Sequence, residues 1–190
     1  MAIVLASSSP RRQELLRMLE VENLVICPAK GEERIPENTT PSAVVMALSR
    51  QKAREVSTYF SAEDIIIAAD TVVSLDGRIL GKPHTPAEAE AMLKSLSGRE
   101  HSVYTGLTVI ARGREINEFE ETAVSFRRIT PREIKAYVLT GEPMDKAGAY
   151  GIQGKGGLFI SGIVGDYYNV MGLPLCRLGT ILKKLGVDLI

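Results

Sequence analysis

Four segments of the chain share a start signal that is typical of helices. In each, a serine or threonine stands directly before a proline, and these residues are preferred at the N-cap and at the first helical position. The four pairs are Ser9-Pro10, Thr40-Pro41, Thr85-Pro86 and Thr130-Pro131. After the first pair, the apolar residues between 15 and 19 recur at helical spacing. Glu88 and Glu133 follow the last two threonines at the spacing of a capping box. The pattern predicts four helices.

Short apolar runs between these helices predict strands. The runs cover residues 2–6, 24–27, 65–69, 71–75, 103–111, 118–128 and 158–164. Asp76-Gly77 predicts a tight hairpin after the fourth run, and Arg112-Gly113-Arg114 predicts another after the fifth. A last helix over about 174–185 is predicted from Pro174 at its start and Gly186 at its end.

This order of elements predicts an α/β fold with a mixed sheet and flanking helices, in two lobes around a cleft. The 190 residues, 45% of them hydrophobic, fit a single domain over 1–190 with a core of its own. Formal net charge is zero, from 23 basic and 23 acidic residues. Because proteins that bind long polyanions usually carry a basic excess, this balance disfavours nucleic acid and anionic membranes as partners.

Cysteine usage and the first residues of the sequence favour the cytoplasm. Cys27 and Cys176 are far apart and lack metal-ligand spacing, which predicts thiols in a reducing compartment. The opening MAIVLASSSPRR places its charges after a short apolar run, the reverse of a signal peptide, and that run is too short to span a bilayer. We therefore expect a cytoplasmic protein.

The turn from Ser7 to Arg12 has the composition of an anion site. Backbone amides at a helix N-terminus carry partial positive charge, and the serine hydroxyls are further donors. Arg11 and Arg12 oppose the helix dipole, at a cost of a few tenths of a kcal/mol each, roughly, and a bound anion would reverse that cost. A plain N-cap at Ser9 with solvated arginines is the alternative interpretation.

Carboxylates are the candidate catalytic groups. Asp70 follows an apolar run, and ligands of open α/β sheets bind beyond the ends of strands; an aspartate that binds its own turn is the alternative. With only His84 and His101 in the chain, neither a zinc cluster nor a Ser-His-Asp triad is supported. A metal would be held by oxygen, which favours Mg²⁺ or Mn²⁺, and Glu32 and Glu33 are further candidate ligands or bases.

Two lysines and a glycine-rich segment complete the candidates. Lys52 borders the apolar face of the second helix, and Lys82 lies in the loop after the Asp76-Gly77 hairpin. For either lysine alone, a solvated surface position is the favoured interpretation. The segment 141–157 is rich in glycine, which permits close approach to a ligand, and Gln153 has both a donor and an acceptor for a base edge. A flexible connection is the alternative.

Eight blocks of sequence stand in order along nearly the whole chain. They are LASSSPRRQELL (5–16), the pair Glu32-Glu33, RQKA around Lys52, AADTVV (68–73), GKP (81–83), LSGREHSVYTGL (96–107), GEPMDKAGAYGIQG (141–154) and GDYYNVMGLPL (165–175). Together they resemble the Maf family of septum-formation-inhibitor-like nucleotide pyrophosphatases.

The resemblance implies a mixed-sheet fold with a deep cleft, similar to that of inosine triphosphate pyrophosphatases. It implies hydrolysis of nucleoside triphosphates between the α- and β-phosphates with a divalent cation, and a homodimer. It also implies Asp70 as the proton acceptor, and Arg12, Thr71 and Gln153 as positions that set substrate choice. A threonine directly after the aspartate resembles the branch that acts on dTTP and UTP, whereas the branch that acts on 7-methyl-GTP has glutamine there.

On this basis we expect one group of side chains to neutralise the triphosphate during metal-assisted attack of water at the α-phosphate. These are Ser7, Ser9, Arg12, Lys52 and Lys82. Asp70 and Glu33 are expected to hold the metal, and either carboxylate can be the base. A non-catalytic nucleotide-binding regulator of cell division and a nucleotidyl transferase remain alternatives. The exact pyrimidine nucleotide and the cellular role, pool cleaning or division control, stay open.

Overall fold

The computed structural model describes residues 1–35 and 39–189. Seven strands are found in this part of the chain: β1 (Ile3–Leu5), β2 (Leu24–Ile26), β3 (Ile65–Leu75), β4 (Arg78–Leu80), β5 (Glu100–Ala111), β6 (Arg114–Phe126) and β7 (Ile160–Val164). They form one sheet in the order β2-β1-β3-β5-β6-β7, and β4 pairs with β3. β1 is parallel to β2 and β3, whereas β3 with β4 and β6 with β7 are antiparallel. The predicted mixed sheet is confirmed.

The helices flank this sheet. They are α1 (Pro10–Met18), α2 (Pro41–Ser57), α3 (Pro86–Leu96), α4 (Pro131–Val138), α5 (Tyr167–Met171) and α6 (Leu175–Lys184), with short 3₁₀ turns at Glu142–Asp145, Ala147–Ala149 and Lys155–Phe159. Every helix predicted from a start signal is present. The five-residue α5 is not predicted, because it is too short to show a helical period. No helix in the described part of the chain has both the length and the apolar character needed to cross a membrane.

The predicted helix starts are confirmed, but two of the predicted capping details are not: the Ser9 hydroxyl makes no cap bond in the described part of the chain, and Glu88 forms no capping box. The side chains of Thr40, Thr85 and Thr130 each accept a hydrogen bond from the backbone amide three residues later. Glu133 completes its capping box by accepting from the amide of Thr130. The capping box at Glu88 is wrong, because the Glu88 carboxylate accepts from the amide of His84, one residue before the N-cap.

The strands differ from their predicted bounds where polar residues belong to them. The runs 65–69 and 71–75 form the single strand β3, because Asp70 lies inside it rather than in a turn. β6 begins at Arg114 rather than at the predicted residue 118, because the charged residues at its start interrupt the apolar run on which the prediction was based. Both predicted hairpins are confirmed: Asp76 and Gly77 have φ of 51° and 77°. Arg112 and Gly113 have φ of 51° and 70°, the left-handed values that such two-residue turns require.

The chain divides into two compact units. Unit 1 comprises Met1–Asp70, Thr105–Glu120 and Gly172–Ile190, and unit 2 comprises Thr71–Tyr104 and Glu121–Met171. A cluster in unit 1 packs β1 and β3 against α2. The larger core of unit 2 packs α3 and α4 with strand residues and a group of aromatic rings. Residues of β3, β5 and β6 are found in both units.

His101 is buried within the aromatic core of unit 2. Its side chain packs edge-on against Phe126 and Tyr150, and Nε2 lies 2.7 Å from Tyr150 Oη. Burial lowers the pKa of His101 from 6.5 to about 4. The imidazole is therefore neutral at neutral pH in the folded protein.

This burial predicts an acid-sensitive core. Because the unfolded chain keeps the higher pKa, it binds more protons between about pH 6.5 and pH 4. The free energy of unfolding should therefore fall by up to about 3 kcal/mol as the pH decreases through this window. Urea unfolding of wild type and His101→Gln at pH 7 and pH 4.5 measures the effect, since glutamine does not titrate. Carboxylates titrate in both proteins, so equal pH dependence in the two would contradict the prediction.

Candidate functional site

The turn between β1 and α1 fixes the position of an arginine. Ser7 is buried, and its Oγ accepts hydrogen bonds from the Ser9 amide and from Arg12 Nη1, both at 3.2 Å. Arg12 Nε donates to the carbonyl of Gly172 at 2.7 Å. Arg12 is therefore held in place rather than solvated. Ser9 occupies the predicted N-cap position, but its hydroxyl makes no cap bond to the described residues of α1.

The charge of Arg12 is set by burial and by nearby carboxylates. The pKa of Arg12 is lowered, mainly by burial and also by the nearby charge of Arg11. The carboxylates Asp70 and Glu33 raise it, but by less than burial lowers it. Because the pKa of arginine starts far above neutrality, the guanidinium remains charged. Arg12 therefore interacts electrostatically with both carboxylates.

Asp70 lies in the middle of β3 but beyond the end of its parallel neighbour. The pairing of β1 with β3 ends at Leu5 and Ile67, and β3 continues past that point. The prediction that a strand ends at Asp70 is therefore wrong, while its position beyond the parallel ladder is confirmed. The carboxylate is buried, and its Oδ1 accepts a hydrogen bond from Lys52 Nζ at 2.5 Å.

Lys52 joins the two candidate carboxylates. Its Nζ also lies 2.8 Å from Glu33 Oε1, so one ammonium group is paired with both Asp70 and Glu33. The Lys52 side chain is 18% exposed, which contradicts the interpretation of this residue as a solvated surface lysine. The error arose because the partners of Lys52 are distant in sequence. Of the adjacent pair Glu32 and Glu33, it is Glu33 that reaches the cluster.

The loop that carries Glu33 is held by α2 itself. Gln51 Nε2 donates to the carbonyl of Glu32 at 2.6 Å, and Gln51 Oε1 accepts from the amide of Arg34 at 3.2 Å. One amide side chain thus binds the residues on both sides of Glu33. The Glu55 carboxylate accepts from the amides of residues 30 and 31. Sequence reasoning missed Gln51 and Glu55, although their i, i+4 spacing beside Lys52 was a usable signal.

The remaining predicted site residues belong to unit 2. Thr71 follows Asp70 directly in β3, while Lys82 and Gln153 are exposed. The carbonyl of Gly81, beside Lys82, accepts from the amide of Gly148 at 3.0 Å. A Cβ on Gly148 would lie 2.9 Å from the side chain of Val73, so this turn packs directly on β3. The roles of Thr71, Lys82 and Gln153 stay predictions.

The carboxylate cluster suits a metal of the Mg²⁺ type. Within the described residues, no group of three or more His, Cys, Asp or Glu side chains is placed to hold a metal ion. Mg²⁺ is commonly bound by only one or two carboxylates, with water and substrate phosphates as the other ligands. Asp70 and Glu33, which share the cation of Lys52, provide two such oxygen donors. The donor chemistry of these residues therefore fits a hard divalent cation.

The fold and this cluster define a mixed-sheet α/β protein with two cations and two carboxylates gathered beyond the end of a parallel strand pair. The chain belongs to the Maf family, since the sequence model of the family described as Maf-like protein matches residues 2–185. A dTTP/UTP pyrophosphatase of Agathobacter rectalis is 52% identical, with 98% of each chain covered. Those of Moorella thermoacetica and Bacillus cereus are 50% and 48% identical, each covering 98% of this chain and 96% of the relative.

A solved structure supports the fold. The chain is similar to a HAM1 protein from Coxiella burnetii, with a TM-score of 0.52 and 17% identity, over 97% of this chain and 99% of that one. Two proteins with so little sequence in common share the arrangement of their strands and helices, and that likeness concerns the fold alone.

Proposed function

We propose that this protein hydrolyses nucleoside triphosphates, with dTTP and UTP as preferred substrates, to the monophosphate and pyrophosphate. The observation that carries the proposal is the cluster in which Lys52 pairs with Asp70 and Glu33, with the partly buried Arg12 interacting electrostatically with both carboxylates. The names of relatives at about half identity, dTTP/UTP pyrophosphatase, support the substrate class.

The cations bind and stabilise phosphate oxygens. Arg12 presents a planar set of donors that matches a phosphate, and Ser7 with the carbonyl of Gly172 keeps it in one orientation. Lys52 adds a second positive charge. In the proposed reaction, these charges stabilise the negative charge that develops on the pyrophosphate leaving group. We assign Ser9 and Lys82 the same task, on the basis of the family resemblance.

Asp70 takes the proton of the attacking water. The water oxygen forms a bond to the α-phosphorus, the bond from that phosphorus to the bridging oxygen breaks, and pyrophosphate leaves with the bond's electron pair. Asp70 suits the role of base by its position, because its carboxylate is little exposed and Lys52 holds it in one place. Glu33, whose side chain is 52% exposed, suits a ligand of the divalent cation. When bound, Mg²⁺ or Mn²⁺ supplies positive charge to the phosphates.

Pyrophosphate release separates this proposal from its two rivals. Purified protein is assayed with dTTP, UTP, CTP and GTP, with and without Mg²⁺ or Mn²⁺. We expect metal-dependent release from dTTP and UTP in stoichiometric amounts with the monophosphate. Nucleotide binding without release would indicate a regulator, and release only with an added acceptor would indicate a transferase; either result overturns the proposal.

We also propose a cytoplasmic homodimer without a nucleic-acid partner. The free thiols of Cys27 and Cys176 are consistent with a reducing compartment, and the balanced charge supports the absence of nucleic acid. The dimer and any link to septum formation come from the family resemblance. Light scattering of the purified protein at micromolar concentration tests the dimer.

A further inference from the structure

Two side chains of unit 2 bind the backbone on both sides of Gln153. The Glu142 carboxylate accepts hydrogen bonds from the amide of Lys155 at 3.0 Å and from the amide of Gly156 at 3.2 Å. It also accepts from Tyr137 Oη at 2.8 Å, and that oxygen accepts in turn from the amide of Gly151 at 3.3 Å. Residues 151–156 are thus attached at both ends to one Tyr137–Glu142 pair.

Tyr137 is buried, Glu142 is half-buried, and their protonation states suit these bonds. Tyr137 is 4% exposed, and burial together with Glu142 raises the pKa of its hydroxyl, which therefore stays protonated and donates. Burial raises the pKa of Glu142, but the hydrogen bonds from the two amides and the tyrosine hydroxyl outweigh burial. The net pKa is below its usual value, so the carboxylate stays ionised. Lys146 Nζ donates to the carbonyl of Glu142 at 2.7 Å and holds the backbone of that residue.

Three glycines of the segment pack directly on these side chains. A Cβ on Gly154 would lie 2.3 Å from Glu142 Oε1, and one on Gly156 would lie 2.7 Å from Tyr137 Oη. A Cβ on Gly151 would lie 2.7 Å from Lys146 Cε. A larger residue at any of the three positions would displace one of these side chains, because the backbone approaches them closely. The exposed Gln153 is therefore carried on a backbone whose course follows Glu142, Tyr137 and Lys146.

We propose that Glu142 is a positioning residue for Gln153, which it supports through the backbone of residues 154–156 so that the Gln153 amide is presented to the nucleotide base in one orientation. The inference rests on the proposed function. A side-chain amide discriminates between bases only if its donor and acceptor are held in place, because an amide that can rotate presents its donor to one base and its acceptor to another. Glu142 acts on base selectivity and not on bond cleavage.

The test is the variant Glu142→Gln. Glutamine keeps the size of the side chain but has a single acceptor oxygen, so it cannot serve the hydroxyl and both amides. We expect the ratio of kcat/KM for UTP to kcat/KM for GTP to fall about 10-fold, while kcat for UTP changes little. Gln153→Ala should lower the same ratio, and adding Glu142→Gln to it should cause no further loss.

A matched control is available in the same unit. Glu133 is another half-buried carboxylate, and it accepts from the amide and hydroxyl of Thr130 and from Arg127 Nη2. Glu133→Gln should lower the Tm without altering the selectivity ratio. If Glu142→Gln lowers the Tm alone and leaves the ratio unchanged, Glu142 has only a structural role and the proposal is overturned. Tyr137→Phe, which removes one hydroxyl, repeats the test if Glu142→Gln does not fold.

A second measurement is independent of activity. Hydrogen exchange of the Lys155 and Gly156 amides in the free protein should be slow in wild type and markedly faster in Glu142→Gln. If wild type releases no pyrophosphate, the proposed function fails, yet the exchange rates still report whether Glu142 holds this backbone. Unchanged exchange in the variant would overturn the positioning role even in an active enzyme.

Discussion

Replacing Asp70 by asparagine should lower kcat for pyrophosphate release about 1,000-fold, the magnitude expected when a general base is removed. Asparagine has nearly the same shape and still accepts a hydrogen bond from Lys52, but it cannot take a proton at neutral pH. Lys52 keeps its ion pair with Glu33, so the folded structure should persist. Steady-state assays with UTP at saturating Mn²⁺, together with thermal unfolding, measure both consequences.

Glu33→Gln is the matched comparison. Glu33 shares Lys52 with Asp70 but is far more exposed, so its loss should reduce kcat by only about 10-fold once Mn²⁺ is saturating. Near-normal turnover in Asp70→Asn would show that Asp70 is not the base. A larger loss in Glu33→Gln than in Asp70→Asn would transfer that role to Glu33.

Of the substitutions proposed for this protein, Gly106→Ala should cause the largest loss of stability. A Cβ at this position in β5 would lie 2.1 Å from the carbonyl oxygen of Val45 and 2.7 Å from the amide nitrogen of Met46. Both are backbone atoms of α2, so no side-chain rotation relieves the overlap and the helix itself must shift. We expect the free energy of unfolding to fall by about 3 kcal/mol or more, measured by urea unfolding.

Gly179→Ala serves as the control for this substitution. Gly179 lies inside α6, and a Cβ there would have open space around it. Because alanine is the better helix former, the free energy of unfolding of this variant should rise by about 0.5–1 kcal/mol. In the folded fraction of Gly106→Ala, pyrophosphate release should also fall, since α2 carries Lys52. Unaltered stability in Gly106→Ala would show that β5 and α2 are not packed as closely as described.

Local signals explain which parts of the fold were predictable. The Ser-Pro and Thr-Pro pairs and the two hairpin turns are set by residues within a few positions of each other, and they are confirmed. The continuity of β3 was not predictable, because an aspartate at its centre looks like a turn until its partner Lys52 is known. The capping box at Glu88 failed because the Glu88 carboxylate accepts from the amide of His84 instead of the amide of Thr85.

In the candidate site, too, the features set by neighbouring residues were predictable and those set by residues distant in sequence were not. The turn from Ser7 to Arg12 was recognisable because neighbouring residues create it. The shared pairing of Lys52 with Asp70 and Glu33 joins segments 18 to 37 residues apart, and no local pattern reveals it. Likewise, sequence alone could not separate a ligand-binding segment from a flexible connection at 141–157, because Gly151, Gly154 and Gly156 are explained by the side chains of Lys146, Glu142 and Tyr137 that pack on them.

The helix α2 has a mechanical consequence for the charged cluster. It carries Lys52 on its own backbone, and through Gln51 and Glu55 it also holds the loop that presents Glu33. The Lys52 ammonium and the Glu33 carboxylate are therefore both attached to α2, while Asp70 belongs to strand β3. A small sliding of α2 would leave the first two charges at a constant separation and change only their distance to Asp70. The interaction of Asp70 with Lys52 and Glu33 thus depends mainly on one distance, the spacing between the helix α2 and the strand β3.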